Sequence, residues 1–159
     1  MKTLIAAALW SVCLAVSGLA PARAGEAGTT TPRVIKIRAG AGNTMTFDVT
    51  SLHAAPGELV TVMLTNAGTL PKTVMGHNWI LLLPGSDPVA FSVAGLSEAE
   101  HSYIPAKLKG QIVAFIPMLG PGETGEVTFS VPAAPGEYPF LCAFPSHCLV
   151  GMKGVLVVK

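Results

Sequence analysis

The residue types of a soft metal site recur near the C-terminal end of this 159-residue sequence. Cys142, His147 and Met152 follow one another there, and four residues separate each from the next. Far upstream, His77 lies in the segment Gly-His-Asn at 76–78. Two imidazoles and a thiolate with a long axial thioether form the ligand set of electron-transfer copper sites. The pattern therefore predicts one copper ion bound by these four side chains.

Each of these residues has a commoner explanation when it is taken alone. A single Cys is usually a small buried hydrophobe, and a single Met usually fills a core. A single His is more often structural than a ligand. Here a Cys, a His and a Met share one short loop, and a distant His completes the set, so combined motifs outweigh the single ones.

Paired strands must position these ligands, because three residues of one loop converge only if both loop ends are fixed. The sequence contains short β-rich runs separated by Gly, Pro, Asn and Asp, which is typical of a sandwich or barrel. About eight strands in roughly 135 residues is the size of a Greek-key sandwich. We therefore predict an all-β Greek-key sandwich or barrel, with strands at 34–38, 46–50, 59–64, 78–83, 111–117, 125–131, 138–143 and 154–159.

The stretch 86–110 differs from the strands around it. Residues 97–100 (Ser-Glu-Ala-Glu) have helix-forming character, and Pro105 limits how far a helix could extend. We predict a short helical flap that joins two strands.

The N-terminus has the pattern of a secretory signal peptide. Lys2 precedes an apolar run at 4–19, and Ala-Arg-Ala at 22–24 places small residues where a signal peptidase cleaves. The run is shorter than the roughly 20 apolar residues of a membrane span. We predict a signal peptide at 1–24, a flexible leader at 25–32 and one domain at 33–159. The mature chain would then lie in the periplasm without a membrane span.

The charge pattern excludes some partners. Without Lys2 and Arg23 the predicted mature chain has 8 basic and 9 acidic residues. No basic patch indicates nucleic-acid binding, and no charge run indicates a disordered tail. Nothing in the sequence argues against a monomer.

Two cysteines, Cys142 and Cys148, remain after the predicted signal peptide is removed. In an oxidising compartment either the two are bridged or at least one is occupied otherwise. A bridge between them would abolish the copper site. For Cys148 we favour a buried small side chain over a reactive thiol near the surface.

Three segments resemble the cupredoxin family, in particular its azurin and auracyanin members. They are 70–79 (LPKTVMGHNW), 142–147 (CAFPSH) and 151–154 (GMKG) before a Val/Leu strand. The four-residue gap between His147 and Met152 is one residue longer than in azurins and is more similar to auracyanins. The resemblance extends from about Val34 to Lys159.

This resemblance implies a role for each matched residue. His77, Cys142 and His147 would be the equatorial ligands of a type 1 copper ion, and Met152 the weak axial ligand. Gly76 would bring its carbonyl towards the copper from the opposite side, because a residue without a side chain allows close approach of the backbone.

The resemblance also implies roles around the ligands. Asn78 would tie the two ligand segments together, and the backbone N–H of Phe144 would point at the thiolate; such contacts hold ligands and tune the potential. Met45, Met75 and Phe144 would form an apolar patch around an exposed edge of His147. Partners would dock there, and electrons would leave through that histidine.

The sequence departs from the family pattern in two places. No cysteine lies between 25 and 141, so the N-terminal disulfide of azurins is missing. Ser146 stands where related sequences commonly have Gly.

Other patterns do not indicate a second site. Gly-Ala-Gly at 40–42 resembles the start of a nucleotide-binding loop, but a third Gly is absent and a strand follows. His53 and His101 lie outside the ligand pattern, and we predict that both face solvent.

The function predicted from these features is single-electron transfer between periplasmic or membrane-bound redox proteins, such as cytochromes or reductases. Copper trafficking is the alternative, although it would favour open sites rich in Met and His. We predict that the protein is not an enzyme, because substrate chemistry needs an open coordination position or a second metal. Structural zinc sites rarely include Met.

Overall fold

The computed structural model describes residues 31–159, so the predicted signal peptide at 1–24 and most of the predicted leader at 25–32 lie outside the described residues. Within the described part the chain forms eight strands. Their bounds are Arg33–Ala39 (β1), Ser51–Ala54 (β2), Leu59–Asn66 (β3), His77–Leu82 (β4), Ile112–Leu119 (β5), Thr124–Ser130 (β6), Gly136–Leu141 (β7) and Lys153–Val158 (β8).

The strands form two sheets. The three-stranded sheet has the order β1-β3-β6, and the five-stranded sheet has the order β2-β8-β7-β4-β5. β1 pairs with β3 and β2 with β8 in parallel, and the other neighbours are antiparallel. The sheets pack as a sandwich and do not close into a barrel, which confirms the predicted all-β sandwich class.

Two apolar clusters lie on opposite faces of the five-stranded sheet. The main core lies between the sheets and includes Ile37, Val62, Trp79 and Phe140. The second cluster packs beneath the segment between β4 and β5, and Phe91 is its largest fully buried side chain. All six residues of β4 are buried because apolar groups cover both of its faces.

The second strand begins later than predicted. We expected a strand at 46–50, but β2 spans Ser51–Ala54, and the stretch before it has only an isolated bridge between Ala39 and Phe47. The carboxylate of Asp48 accepts the backbone N–H of Arg38 at 2.7 Å. This side-chain bond uses a donor that a continuous ladder would need, so the pairing stops there.

The flap is helical as predicted, but its helix lies elsewhere. The α-helix spans Pro88–Ala94, whereas the predicted stretch 97–100 only begins a 3₁₀ turn, Ala99–His101. Asp87 caps the helix by accepting the N–H groups of Val89 and Ala90, and Pro88 stands in its first turn.

A one-turn helix, Lys72–Met75, precedes β4 and was not predicted. We label it α1, and the flap helix α2. Besides Ala99–His101, the described residues contain two 3₁₀ segments, Ala41–Asn43 and Ala106–Gln111. Across residues 31–159, every helix is too short or too polar to cross a membrane.

Candidate metal centre

Strand pairing fixes both ends of the loop that carries three of the predicted ligands. β7 ends at Leu141, directly before Cys142, and β8 begins at Lys153, directly after Met152. β7 pairs with β8 on one side and with β4 on the other. His77 is the first residue of β4, so the sheet brings the start of one strand beside the end of its neighbour.

Three donor atoms meet at this end of the two strands. Sγ of Cys142 lies 4.0 Å from Nδ1 of His77 and 3.5 Å from Nδ1 of His147. All three donors lie within 4.8 Å of one another. Donors about 2.0–2.3 Å from one metal ion and about 120° apart would be separated by ~3.5–3.9 Å. The spacing therefore fits a trigonal metal site.

Met152 lies on the same loop, beside these donors. Its carbonyl accepts the N–H of Cys142 at 3.1 Å, and its own N–H donates to the carbonyl of His147 at 2.9 Å. Its side chain is fully buried in the main core, in the same apolar cluster as Cys142. A thioether in this place fits a weak axial ligand.

Burial controls the protonation of the ligands. It raises the pKa of Cys142 to about 12, and the backbone N–H groups of Asn78 and Phe144 oppose this effect because they favour the thiolate. It lowers the pKa of His77 and of His147 to about 4. Both imidazoles are therefore neutral donors at neutral pH, and a bound cation would compensate the thiolate charge.

The family model described as copper binding proteins, plastocyanin/azurin family, matches residues 34–159. The chain belongs to this family. It is a cupredoxin of the azurin and auracyanin type, as the sequence resemblance predicted.

Individual relatives agree with this assignment. The chain is 42% identical to auracyanin-B of Chloroflexus aurantiacus over 83 residues, which cover 52% of this chain but only 35% of that protein. It is 39% identical to azurin of Pseudomonas fluorescens biotype A over 102 residues, which cover 62% and 77% of the two chains. The crystal structure of reduced auracyanin from Roseiflexus castenholzii superposes with a TM-score of 0.70 at 31% identity, covering 82% of this chain and 99% of the other.

The family and the geometry together show a single copper site. His77, Cys142, His147 and Met152 form it, and their donor set is the one expected for a blue copper protein. The predicted cofactor is confirmed. Both findings support an electron-transfer protein.

Asn78 of this cupredoxin connects three parts of the chain. Its side-chain oxygen accepts the N–H of Ala143 at 2.7 Å, and its side-chain nitrogen donates to the carbonyl of Ser102 at 2.8 Å. Asn78 follows His77, and Ala143 follows Cys142. The amide therefore links the two ligand segments to each other and to the flap.

Gly76 is required by packing rather than by its backbone conformation. Its φ of −70° is accessible to any residue. A Cβ at this position would lie 2.6 Å from the carbonyl oxygen of Lys72 and 2.9 Å from Sδ of Met118. The site residue immediately before His77 must therefore lack a side chain.

Cys142 and Cys148 are free and buried in the described structure. Cys148 belongs to the second apolar cluster, and its Sγ lies 3.4 Å from the carbonyl oxygen of Pro88 at the start of α2. The preferred expectation of a buried small side chain is confirmed. Ser146 adopts a left-handed φ of 71°, which explains why a glycine would suit this position.

The predicted docking residues are less exposed than the sequence indicated. We expected an exposed edge on His147, but its side chain is only 1% exposed. The ring of Phe144 lies against it with centroids 4.6 Å apart, and Phe144 itself is buried. Met45 and Met75 are half-buried. The histidine edge is thus covered by neighbouring side chains.

Sequence reasoning missed two flap residues that contact the side chains around the ligands. Ser102 accepts the side-chain amide of Asn78 and, through its Oγ, the N–H of Met118 at 3.1 Å. The ring of Tyr103 packs edge-on against Phe144 with centroids 5.5 Å apart. Both residues have left-handed φ values near +60°. The sequence carries no signal for this, because neither residue type favours that conformation.

His53 and His101 lie away from the copper ligands. His53 is exposed on β2, and His101 is exposed in the flap, where its Nδ1 lies 3.2 Å from a carboxylate oxygen of Glu98. Neither contributes to the donor cluster. The prediction that both face solvent is confirmed.

Proposed function

We propose that this cupredoxin carries single electrons between redox partners. The observation that supports this most directly is the burial of the ligands, since His77, Cys142, His147 and Met152 are all at most 1% exposed. When bound, copper supplies a one-electron couple between Cu(I) and Cu(II). Side chains that exclude water and substrates leave electron exchange through the protein as the chemistry best suited to the site.

The fold favours fast exchange because it positions the donors independently of the metal. Cys142 and Met152 stand directly next to paired strands, and His77 is itself part of β4. Their backbones are fixed by sheet hydrogen bonds, so the donor set would change little between the two oxidation states. A small rearrangement keeps the barrier to electron transfer low.

Trafficking and catalysis fit the site less well. A trafficking site needs donors that a partner can reach, whereas Sγ of Cys142 is fully buried. An enzyme would need an open coordination position or a second metal. In the part of the chain that the structure describes, one cluster of metal-ligating side chains is present.

We further propose where the protein works and with what. The predicted signal peptide at 1–24 supports a periplasmic location, and periplasmic or membrane-bound redox proteins such as cytochromes or reductases would be its partners. The near-neutral charge of the predicted mature chain supports protein partners rather than nucleic acid. A monomer remains our expectation.

Three residues around the ligands would tune the site. The backbone N–H groups of Asn78 and Phe144 favour the thiolate, and Asn78 also links the ligand segments through its side chain. Gly76 admits close packing of Lys72 and Met118 directly before His77, and we propose that its carbonyl approaches the metal. Such contacts hold ligands and set potentials.

Copper loading tests the proposed function. We expect one copper per chain, an intense blue colour in the oxidised protein, bleaching on reduction and a reversible one-electron wave in voltammetry. A colourless protein that binds several exchangeable copper ions would instead support trafficking. Metal analysis, absorption spectra and voltammetry on one preparation separate the two outcomes.

Partner docking gives a second prediction. We propose that Met45, Met75 and Phe144, which covers His147, form the docking face, since both methionines are half-buried, Met75 lies two residues before His77, and Met45 packs against the main core that contains Cys142 and Met152. Met75→Glu should slow electron exchange with a c-type cytochrome by about tenfold or more, because burying an unpaired carboxylate costs over ~1.4 kcal/mol. Stopped-flow kinetics measure this rate.

The copper spectrum of Met75→Glu should be unchanged. Val34→Glu is the matched control, because Val34 is an exposed apolar residue near the start of β1, whereas the end of that strand leads towards the copper site. It should exchange at the wild-type rate. Equal rates for the two variants would refute docking at Met75.

A further inference from the structure

Gly40 lies directly behind the imidazole of His77. It follows β1 and has a left-handed backbone, with φ 69° and ψ 22°. A Cβ at this position would lie 2.4 Å from Nε2 of His77 and 2.8 Å from its Cδ2. No real Cβ comes so close to another heavy atom, so any side chain at position 40 must displace the ring or the loop.

The face that Gly40 covers is the ring edge turned away from the donors. Nδ1 of His77 faces Sγ of Cys142, while Nε2 is buried and has no hydrogen-bond partner among the described residues. In many metal sites a hydrogen bond to the second nitrogen fixes the ring. Here close packing against the backbone of Gly40 takes that place.

Hydrogen bonds to the neighbouring segment at 66–69 hold the loop that carries Gly40. Asn43 binds Thr69 through both its side-chain oxygen and its side-chain nitrogen, and Asn66, which is fully buried, accepts the N–H of Gly68 at 2.9 Å. The side-chain oxygen of Asn66 would lie 3.3 Å from a Cβ at Gly40. The loop therefore has little room to retreat from the ring.

We propose that Gly40 is a positioning residue for the copper site, because its backbone sets the ring orientation of His77 by direct contact. The inference rests on the proposed copper site but concerns a residue outside the ligand set. It assigns a role to the glycine-rich turn at 40–42, which the sequence alone left without one.

The turn contains its own control. Gly42 has almost the same backbone as Gly40, with φ 67° and ψ 24°, but a Cβ there would meet nothing within 4 Å. Gly40→Ala and Gly42→Ala therefore carry the same left-handed strain in the same loop. They differ in the contacts that only a Cβ at position 40 would make, chiefly with the ring of His77 and more loosely with the side-chain oxygen of Asn66.

We expect Gly40→Ala to lower copper affinity at least tenfold and to change the visible spectrum and the electron paramagnetic resonance of the oxidised protein. Gly42→Ala should match the wild type in these measurements. Nuclear magnetic resonance of the metal-free proteins should show shifted ring signals of His77 in Gly40→Ala alone. Identical behaviour of the two variants would overturn the proposal.

A milder variant covers the case in which Gly40→Ala does not fold. A Cβ at Gly68 would lie 3.1–3.3 Å from side-chain oxygens of Asn66 and Asn43 and from the carbonyl oxygen of Gly40. Gly68→Ala should displace the side chains of Asn66 and Asn43, which hold the loop of Gly40, and should therefore shift the His77 ring signals by a smaller amount. Unshifted signals would count against the proposal. Because these signals are read without metal, they test the positioning role even if the wild type proves not to be a blue copper protein.

Discussion

Cys142→Ser should abolish the blue colour of the copper-loaded protein. A serine hydroxyl is nearly the shape of the thiol, but it does not ionise in a buried site and cannot replace the thiolate that defines blue copper centres. Sγ of Cys142 lies 3.5 Å from Nδ1 of His147 and 4.0 Å from Nδ1 of His77, so it is the donor that lies close to both histidines. We expect the thiolate absorption band to be lost completely, together with the reversible voltammetric wave.

The second buried thiol provides the control. Cys148 lies six positions further along the chain, is equally buried, and contacts the flap rather than the donors. Cys148→Ala should cost about 1 kcal/mol of unfolding free energy for the lost packing and should leave the spectrum intact. A blue Cys142→Ser protein, or a colourless Cys148→Ala protein, would show that the thiolate ligand has been assigned wrongly.

The parts of the fold that could be predicted depend on local patterns. Alternating residues at 34–38 predicted β1, and turn dipeptides such as Pro-Gly at 56–57 and 121–122 marked the starts of β3 and β6. The errors arise where one polar side chain changes the pairing. Asp48 occupies a ladder donor and delays β2, and the cap at Asp87 starts the flap helix about ten residues before the predicted stretch.

The ligands could be predicted because their chemistry is concentrated in the sequence. Cys142, His147 and Met152 share one loop, so their spacing was visible without a structure. The contacts of Gly40 and Ser102 could not be found in this way. Gly40 precedes His77 by 37 positions and Ser102 follows Asn78 by 24, and only the sandwich brings them together.

The shielding of His147 also depends on contacts that could not be predicted from the sequence. The sequence indicated an apolar patch, and the half-buried methionines agree with that indication. The packing of the Tyr103 ring on Phe144 could not be expected, because Tyr103 belongs to the flap. How far a ligand is shielded depends on such contacts between distant segments.

The metal-free protein should lose stability steeply in acid. In the folded chain burial lowers the pKa of His77 and of His147 from 6.5 to about 4. Between these values the unfolded chain binds more protons than the folded chain, so the free energy of unfolding falls as pH falls from 6.5 towards 4. Each histidine contributes at most about 3 kcal/mol before screening by solvent reduces it.

The metal-free protein should also lose stability at alkaline pH, for the opposite reason. Burial raises the pKa of Cys142 from 9.0 to about 12, so the unfolded chain loses its thiol proton first and stability falls as pH rises from 9 towards 12. The metal-free protein should therefore be most stable between about pH 6.5 and 9, as these pKa values set the limits. Urea unfolding of the metal-free protein at a series of pH values measures this profile.

His147→Gln separates the histidine effect from general acid unfolding. Glutamine is polar and does not titrate, so the metal-free variant should keep only the acid-dependent loss that His77 contributes, about half of the wild-type slope between pH 6.5 and 4. Bound copper should flatten the acid limb of the wild type, because metal-bound imidazoles take up protons only when the metal leaves. An acid limb of equal slope in the wild type and the variant would show that the buried imidazoles do not govern acid stability.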